Sequence, residues 1–346
     1  MRFYNKQHKY YCGIDLHTKT MYVCILNQAG EIVLHQNIPA DADQLLKTIL
    51  PYMPDIVIAV ECIFTWYWIA DFCEQYQIPF VLGHVLYMKA IHGSKTKNDR
   101  IDSHKIAILL RGGMIPMAYV YPAKMRSTRD LLRRRMFFMR KRAELLAHIQ
   151  NTNSQYNLPS FEKSIARKRN RKGVKEHFPD KSVRKNIELD LELLNHYDTL
   201  LNDIELYLTN HAKEHQPNNL YLLQTIPGIG KILALVLLYE IEDISRFERV
   251  QNFTSYARLI KPQKESAGKI KGSGNKKIGN SYLKWAFGEA VLLLIREQPQ
   301  VKQYHLKLKN RHGKAKALAI LSHKLGRTVY YMLKNQQAFD MKKFLN

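Results

Sequence analysis

Over the first 125 residues, apolar positions fall in short alternating or continuous blocks, as strands require, separated by stretches with helical spacing. Tyr11-Cys12-Gly13-Ile14-Asp15, Met21-Tyr22-Val23-Cys24-Ile25-Leu26 and Glu31-Ile32-Val33-Leu34-His35 predict three strands, the last two joined by a hairpin at Asn27-Gln28-Ala29-Gly30. Asp41 to Leu50 predicts a helix that Asp41 caps and that ends before Pro51. Asp55-Ile56-Val57-Ile58-Ala59-Val60-Glu61 is a continuous apolar run of strand length, as a buried central strand requires. A helix over 65–76, a strand over 78–82 and a helix over 99–111 complete an alternating order. That order predicts a mixed sheet covered by helices.

Farther along, the spacing is helical. Ser127-Thr128-Arg129-Asp130 predicts a capped start, and Leu131, Phe138 and Leu145 recur at heptad spacing, so one stripe packs while the arginines project. Lys163 to Lys185 has little apolar content and predicts a mobile basic loop or a plain interhelical linker. Ile187, Leu194, Leu201 and Leu208 fall seven apart, with Tyr197 and Ile204 on the companion position. This coiled-coil-like seam closes either on the 127–150 helix or between two chains. Pro227-Gly228-Ile229-Gly230-Lys231 turns into a helix ending near Glu240, with Phe253-Thr254-Ser255-Tyr256-Ala257 packed on it. A Gly-, Ser- and Lys-rich loop over 261–280 feeds an apolar helix at Tyr282. Leu318, Ile320, Leu321, Leu325, Val329, Tyr330 and Leu333 give the last helix its packing stripe. The expected fold class is α/β plus all-α in three domains: 1–125, a basic helical region over 126–215, and a helical domain over 216–346.

Charge narrows the function. The 346 residues carry 54 Lys and Arg against 30 Asp and Glu, a net charge of +24, which points to a polyanionic partner. One-signed clusters mark the expected phosphate contacts: Arg133, Arg134, Arg135, Arg140 and Lys141 on the long helix, and Arg167, Lys168, Arg169, Arg171 and Lys172 in the loop. The turn at Gly228, Gly230 and Lys231 resembles a helix-hairpin-helix module, whose glycines let backbone N–H groups approach a phosphate, though a tight turn alone has the same composition. Lys269, Lys276 and Lys277 lie in the 261–280 loop, which suits phosphate but lacks P-loop spacing, so nucleotide binding is rejected. Cys12, Cys24, Cys62 and Cys73 form no CxxC pair and are expected to be reduced core residues, with no zinc site. No apolar run reaches membrane-spanning length and the opening Met1-Arg2-Phe3-Tyr4-Asn5-Lys6 lacks a signal-peptide apolar region, so a cytoplasmic location with no membrane partner is expected.

Against this positive background four acids stand out. Asp99 and Asp102 are three apart, so they share a helix face, while Asp15 and Glu61 end apolar strands, where an α/β sheet presents its chemistry. Like charges about 4 Å apart repel by about 1 kcal/mol per pair in water and by more in a lower dielectric. Converging carboxylates therefore call for a hard cation, and two Mg²⁺ ions, with Mn²⁺ as a substitute, are the usual clamp on a phosphodiester. Taken singly, Asp15 suits a turn and Asp99 or Asp102 a helix N-cap; Glu61, a carboxylate ending an apolar strand, is costly unless something binds it. His17 and His104 beside them are expected to contact substrate or support structure rather than ligate. Lys95, Lys97, Arg100 and Lys105 either screen the acids or hold phosphates.

Gly13-Ile14-Asp15 in an opening hairpin, Val60-Glu61 closing the next buried strand, and Asn98-Asp99-Arg100-Ile101-Asp102 together resemble the DEDD transposases of bacterial insertion sequences. The resemblance implies an RNase H-like (RuvC-like) first domain, similar to Holliday-junction resolvases, with Asp15, Glu61, Asp99 and Asp102 as the metal-binding tetrad. It extends to the 261–280 loop, which is similar to the family's C-terminal transposase domain, where a serine attacks DNA. By that likeness Ser266 is the nucleophile, with Ser273 in reserve. It further implies a dimerising coiled coil, dimers pairing into a tetramer, an acidic site completed by the serine domain of another protomer, and guidance to donor and target DNA by a structured non-coding RNA held on 126–185. The rivals are a hydrolytic junction resolvase, which needs the acids but no serine, and a non-catalytic nucleic-acid-binding protein, which needs only the basic regions.

Overall fold

The alternating blocks at the start of the chain pair into one sheet. The computed structural model describes residues 2–91, 98–211 and 215–345, in two compact units, Met1–Ala123 and Lys124–Asn346. The first unit runs β1 (Tyr10–Leu16), β2 (Thr20–Asn27), β3 (Ile32–Pro39), α1 (Ala42–Ile49), β4 (Ile56–Glu61), α2 (Tyr67–Gln75), β5 (Phe80–Gly83), α3 (Val85–Ile91) and α4 (Asp99–Arg111). The strand order is β3-β2-β1-β4-β5; β1–β2 and β2–β3 are antiparallel, β1–β4 and β4–β5 parallel. Asp41 caps α1 as expected, accepting from the amides of Asp43 and Gln44. The short α3 had no sequence signal, since seven residues carry too few turns for a period to register.

The period of two along the strands sorts side chains between two cores. Cys12, Ile14 and Leu16 of β1 and Ile56, Ile58 and Val60 of β4 pack on one face with α1 and α2. Tyr11, Val57 and Ala59 face the other way, toward Ile106, Leu109 and Leu110 of α4. Cys12, Cys24 and Cys73 are buried thiols, but Cys62, at the exit of β4, is exposed and not a core residue.

The second unit is helical: α5 (Ala123–Gln155), α6 (Lys181–His211), α7 (Pro217–Gln224), α8 (Lys231–Ile241), α9 (Val250–Tyr256), a hairpin of β6 (Gln263–Ser266) and β7 (Lys269–Ser273), then α10 (Ser281–Glu297), α11 (Pro299–His312), α12 (Lys314–Asn335) and α13 (Met341–Leu345). Both the expected helical region over 126–215 and the C-terminal domain over 216–346 fall within it. Its larger core gathers the apolar run of α8 with Phe253, Phe287, Leu321 and Tyr330.

Two expectations fail here. The long helix begins at Ala123, after Pro122, so Ser127-Thr128-Arg129-Asp130 lies inside it. Its buried line is Met125, Arg129, Leu132, Met136 and Ile149, and the expected stripe packs half-buried: Leu131 and Leu145 against the cores of this unit, Phe138 beside Tyr197 (5.7 Å). The stretch 163–185 is a packed connection: Ile165, Val174 and Phe178 are buried with Ile149, Ile187 and Leu194, and two single 3₁₀ turns shape it. The seam residues Ile187, Leu194, Leu201 and Leu208 are buried within the chain, Ile187 and Leu194 beside α5 residues of the same core. Arg142–Asp198 (2.6 Å) and Arg135–Glu205 (2.6 Å) tie α5 to α6.

Candidate metal centre and nucleic-acid interface

Gly13 sets the geometry of the acidic end. A Cβ there would lie 2.3 Å from the Ala107 backbone nitrogen and 2.4 Å from the Ser103 carbonyl, so only glycine lets α4 rest directly on β1. Asn98, not Asp99 or Asp102, caps α4, accepting from the Arg100 amide. The two aspartates occupy its first turn, where the helix N-terminus favours anions. The turn is also tied to β3: Nε2 of His35 lies 2.9 Å from the Arg100 carbonyl oxygen and 3.3 Å from Ser103 Oγ. Burial lowers the pKa of His35 despite its bond to that carbonyl.

Asp15 follows Gly13 by two residues and so shares its face, beneath α4. The parallel register sets Ile14 beside Val60, so Asp15 and Glu61 are the next residues on neighbouring strands, both on the α4 face. His17 begins the turn into β2, its amide donating to the Thr20 carbonyl (2.9 Å). Its Nε2 lies 3.5 Å from Asp15 Oδ2 and 3.3 Å from Asp99 Oδ2. Donor atoms of Asp15, His17 and Asp99 all lie within 4.8 Å of one another, two carboxylates and an imidazole suited to a divalent ion. Glu61 and Asp102 stand outside this tight group, and Asp102 lies 3.4 Å from Lys105 Nζ. Lys95 and Lys97 lie outside the described residues. The structure thus brings Asp15 and Asp99 together and adds His17, which was expected to play no part as a ligand; a histidine two residues past a strand-end aspartate was the available signal.

In the second unit the basic residues divide by partner. Arg133 does not project: Nε and Nη2 donate to the two oxygens of Glu240 (2.7 and 3.0 Å), to which Arg129 also donates (2.9 Å). Arg135 pairs with Glu205, and Arg171, buried, binds Asp198 (2.7 Å) and Asn195 (2.7 Å). Lys141 pairs with Glu144. Arg134 and Arg140 are exposed, beside Phe138 (5.9 Å) and Tyr282 (5.9 Å) respectively, as are Arg167, Lys168, Arg169 and Lys172. The missed signal was Glu240, a carboxylate set directly after the apolar run Leu233–Tyr239, which demands a buried counter-charge.

Gly228 (φ +83°) takes the left-handed turn between α7 and α8, where a Cβ would meet Leu293 of α10 at 2.8 Å; Gly230 and Lys231 open α8 on the surface. The 261–280 loop contains the β6–β7 hairpin. Ser266 pairs with Lys269 across Ala267 (φ +51°) and Gly268 (φ +71°), two positive φ values in succession as a type I′ turn requires, so Ser266 stands exposed at the tip. Ser273 is at the foot, its Oγ 3.4 Å from the Pro262 carbonyl oxygen. Lys269, Lys276 and Lys277 are exposed. Arg258 binds the Ile278 and Gly279 carbonyls, and Asn280 caps α10 while donating to Glu240 (2.7 Å). The exit of the 261–280 loop into α10 is therefore tied to the Glu240 cluster.

Comparison with known proteins matches two stretches of the chain. A DEDD transposase model of the IS110 group matches residues 12–157, and a model described as Transposase IS116/IS110/IS902 family matches residues 220–306. The transposase for insertion sequence element IS1111A of Coxiella burnetii (strain RSA 493 / Nine Mile phase I) is 23% identical over 345 residues, covering 94% of this chain and 90% of the relative. Among the described residues, no helix is long and apolar enough to cross a membrane.

Proposed function

Because the chain belongs to the DEDD transposases of IS110-type insertion sequences, we propose that it breaks and rejoins DNA by divalent-metal-dependent transesterification, with Asp15, Glu61, Asp99 and Asp102 as the metal-binding acids and Ser266 as the nucleophile. The observation that carries this is the convergence of Asp15 and Asp99 at the end of β1. Strand order β3-β2-β1-β4-β5, with the first three antiparallel, supports the RNase H-like reading of that unit. A divalent ion, Mg²⁺ by the match of hard oxygen donors, would supply the positive charge that a phosphodiester needs when attacked. Asp15 and Asp99 would hold it, Glu61 and Asp102 would complete the set, and α4 fixes the two aspartates of its first turn.

Ser266 Oγ forms the new bond to phosphorus as one phosphorus–oxygen bond to a sugar breaks, and that sugar leaves as a hydroxyl carrying the proton. The number of phosphodiester bonds is conserved, so reversal by a different hydroxyl joins strands instead of hydrolysing them. Exposure of Ser266 at a two-residue turn supports access to DNA. The proposed partners are donor and target DNA and a structured non-coding guide RNA, in dimers that pair into a tetramer; the exposed Arg134, Arg140, Arg167, Lys168, Arg169 and Lys172 support the nucleic-acid part.

The test mixes the full chain, Mg²⁺, DNA spanning the element's ends and the flanking transcript, and reads protein-linked DNA on a denaturing gel. Wild type should give an adduct that Ser266→Ala abolishes and Ser273→Ala leaves. Cleavage without an adduct, unchanged in both variants, would identify a hydrolytic nuclease.

A further inference from the structure

We infer that His17 is itself a metal ligand through Nε2, so that this centre holds a first-row transition ion such as Mn²⁺ more tightly than its oxygen donors alone would. The inference rests on the metal-centre reading above and adds a nitrogen to its oxygen donors. Nε2 lies 3.5 Å from Asp15 Oδ2 and 3.3 Å from Asp99 Oδ2. Charge-assisted N–H···O bonds are shorter, about 2.7 to 2.9 Å, so the ring does not grip either carboxylate as a close ion pair. Ligand atoms about 2.1 Å from a shared ion, by contrast, stand roughly 3.0 to 3.4 Å apart in octahedral or tetrahedral geometry. The two distances from His17 are nearer those of ligands sharing an ion than those of a close salt bridge.

The backbone supports the same assignment. His17 is positioned by its amide bond to Thr20, and Asp99 by the seating of α4 on Gly13, so the donors come from two rigid elements. The His17 and Asp99 side chains are 50% and 56% exposed, which leaves an open side for water or a phosphate oxygen. Imidazole favours first-row transition ions, whereas Mg²⁺ favours oxygen ligands, so one nitrogen in the set shifts the preference. The opposing account makes His17 a cation that occupies the site and must be displaced. The two accounts differ in sign: removing a ligand weakens ion binding, while removing a resident cation strengthens it.

The experiment uses the full chain without nucleic acid and Mn²⁺ alone as probe. Binding is read from the free-ion electron paramagnetic resonance signal, and nitrogen ligation from ¹⁴N modulation of the bound ion. Wild type should show nitrogen coupling. In His17→Ala and His17→Gln, with unchanged circular dichroism, that coupling should vanish, and Mn²⁺ affinity should fall by at least about tenfold, the loss common when even an outer-shell partner is removed. Mg²⁺ affinity should change less. No nitrogen coupling in wild type, coupling that persists without His17, or Mn²⁺ binding that is equal or tighter in the variants would overturn the assignment. Asp15→Asn and Asp99→Asn separate the two levels: if they bind Mn²⁺ undiminished, the metal-centre reading itself fails. If they lose Mn²⁺ while His17→Ala keeps it, only the nitrogen ligand fails.

Discussion

Gly13→Val is expected to cut DNA strand cleavage at least about 100-fold, although it removes no charge and touches no proposed metal ligand. The atoms a new side chain would meet are α4 backbone, at 2.3 and 2.4 Å, and backbone cannot swing aside as a flexible side chain can. Relief requires α4 to lift from β1 by about an ångström, and a misplacement of that size at a reacting centre can cost about 100-fold in rate. Overpacking should also cost about 1 to 3 kcal/mol of stability. Ile14→Val is the control: it lies on the opposite face of the same strand, in the core shared with α1 and α2, and should cost about 0.5 to 1.5 kcal/mol. Thermal unfolding with cleavage assays checks the pair. Ile14→Val should keep nearly full cleavage at a similar loss of stability, and equal loss of cleavage in both would reduce the effect of Gly13→Val to destabilisation.

The second large effect is expected at Glu240, 2% exposed and held by Arg129, Arg133 and Asn280. Glu240→Gln removes the buried carboxylate that Arg129 and Arg133 share, and breaking one side of a buried ion cluster costs about 3 to 5 kcal/mol, less as far as Arg133 reaches solvent. Burial would raise the carboxyl pKa, but the hydrogen bond from Arg133, the charges of Arg129 and Arg133, and Asn280 hold it below the ordinary 4.5. A depressed carboxyl pKa contributes stability that is fully present above the unfolded value and lost as pH falls through the folded one, so the contribution starts to decline near pH 4.5 and goes on declining at lower pH. Denaturant unfolding across acid pH should show a limb in wild type that flattens in Glu240→Gln. Because Asn280 both caps α10 and donates to Glu240, the variant should also loosen the loop exit before α10, seen as faster amide exchange at Lys277 to Asn280.

Much of this was legible before any coordinates. Apolar blocks located β1, β2, β4 and α4, and the spacing of Asp99 and Asp102 put both in one helical turn. What the chain could not disclose was contact across distance. Gly13 reads as one small residue in a strand until α4 is laid on it. Arg133, Arg135 and Arg171 read as phosphate contacts because charge runs reveal sign but not partners, and Glu240, Glu205 and Asp198 lie far away in sequence. Ile165, Val174 and Phe178 are too sparsely spaced to give a period, so a packed segment passed for a loose one. The serine hairpin needed Ala267 at positive φ, which composition does not announce.

If the acids meeting at the end of β1 hold the ion, strand cleavage depends on them. The most direct measurement of that dependence is cleavage of DNA spanning the element's ends by wild type and by Asp15→Asn/Asp99→Asn, each with Mg²⁺, with Mn²⁺ and with chelator. Wild type should cut only when a divalent ion is present, and the double variant, folded by circular dichroism, should cut under none of these conditions. Cleavage by the double variant at the wild-type rate, or by wild type in chelator, would contradict the account.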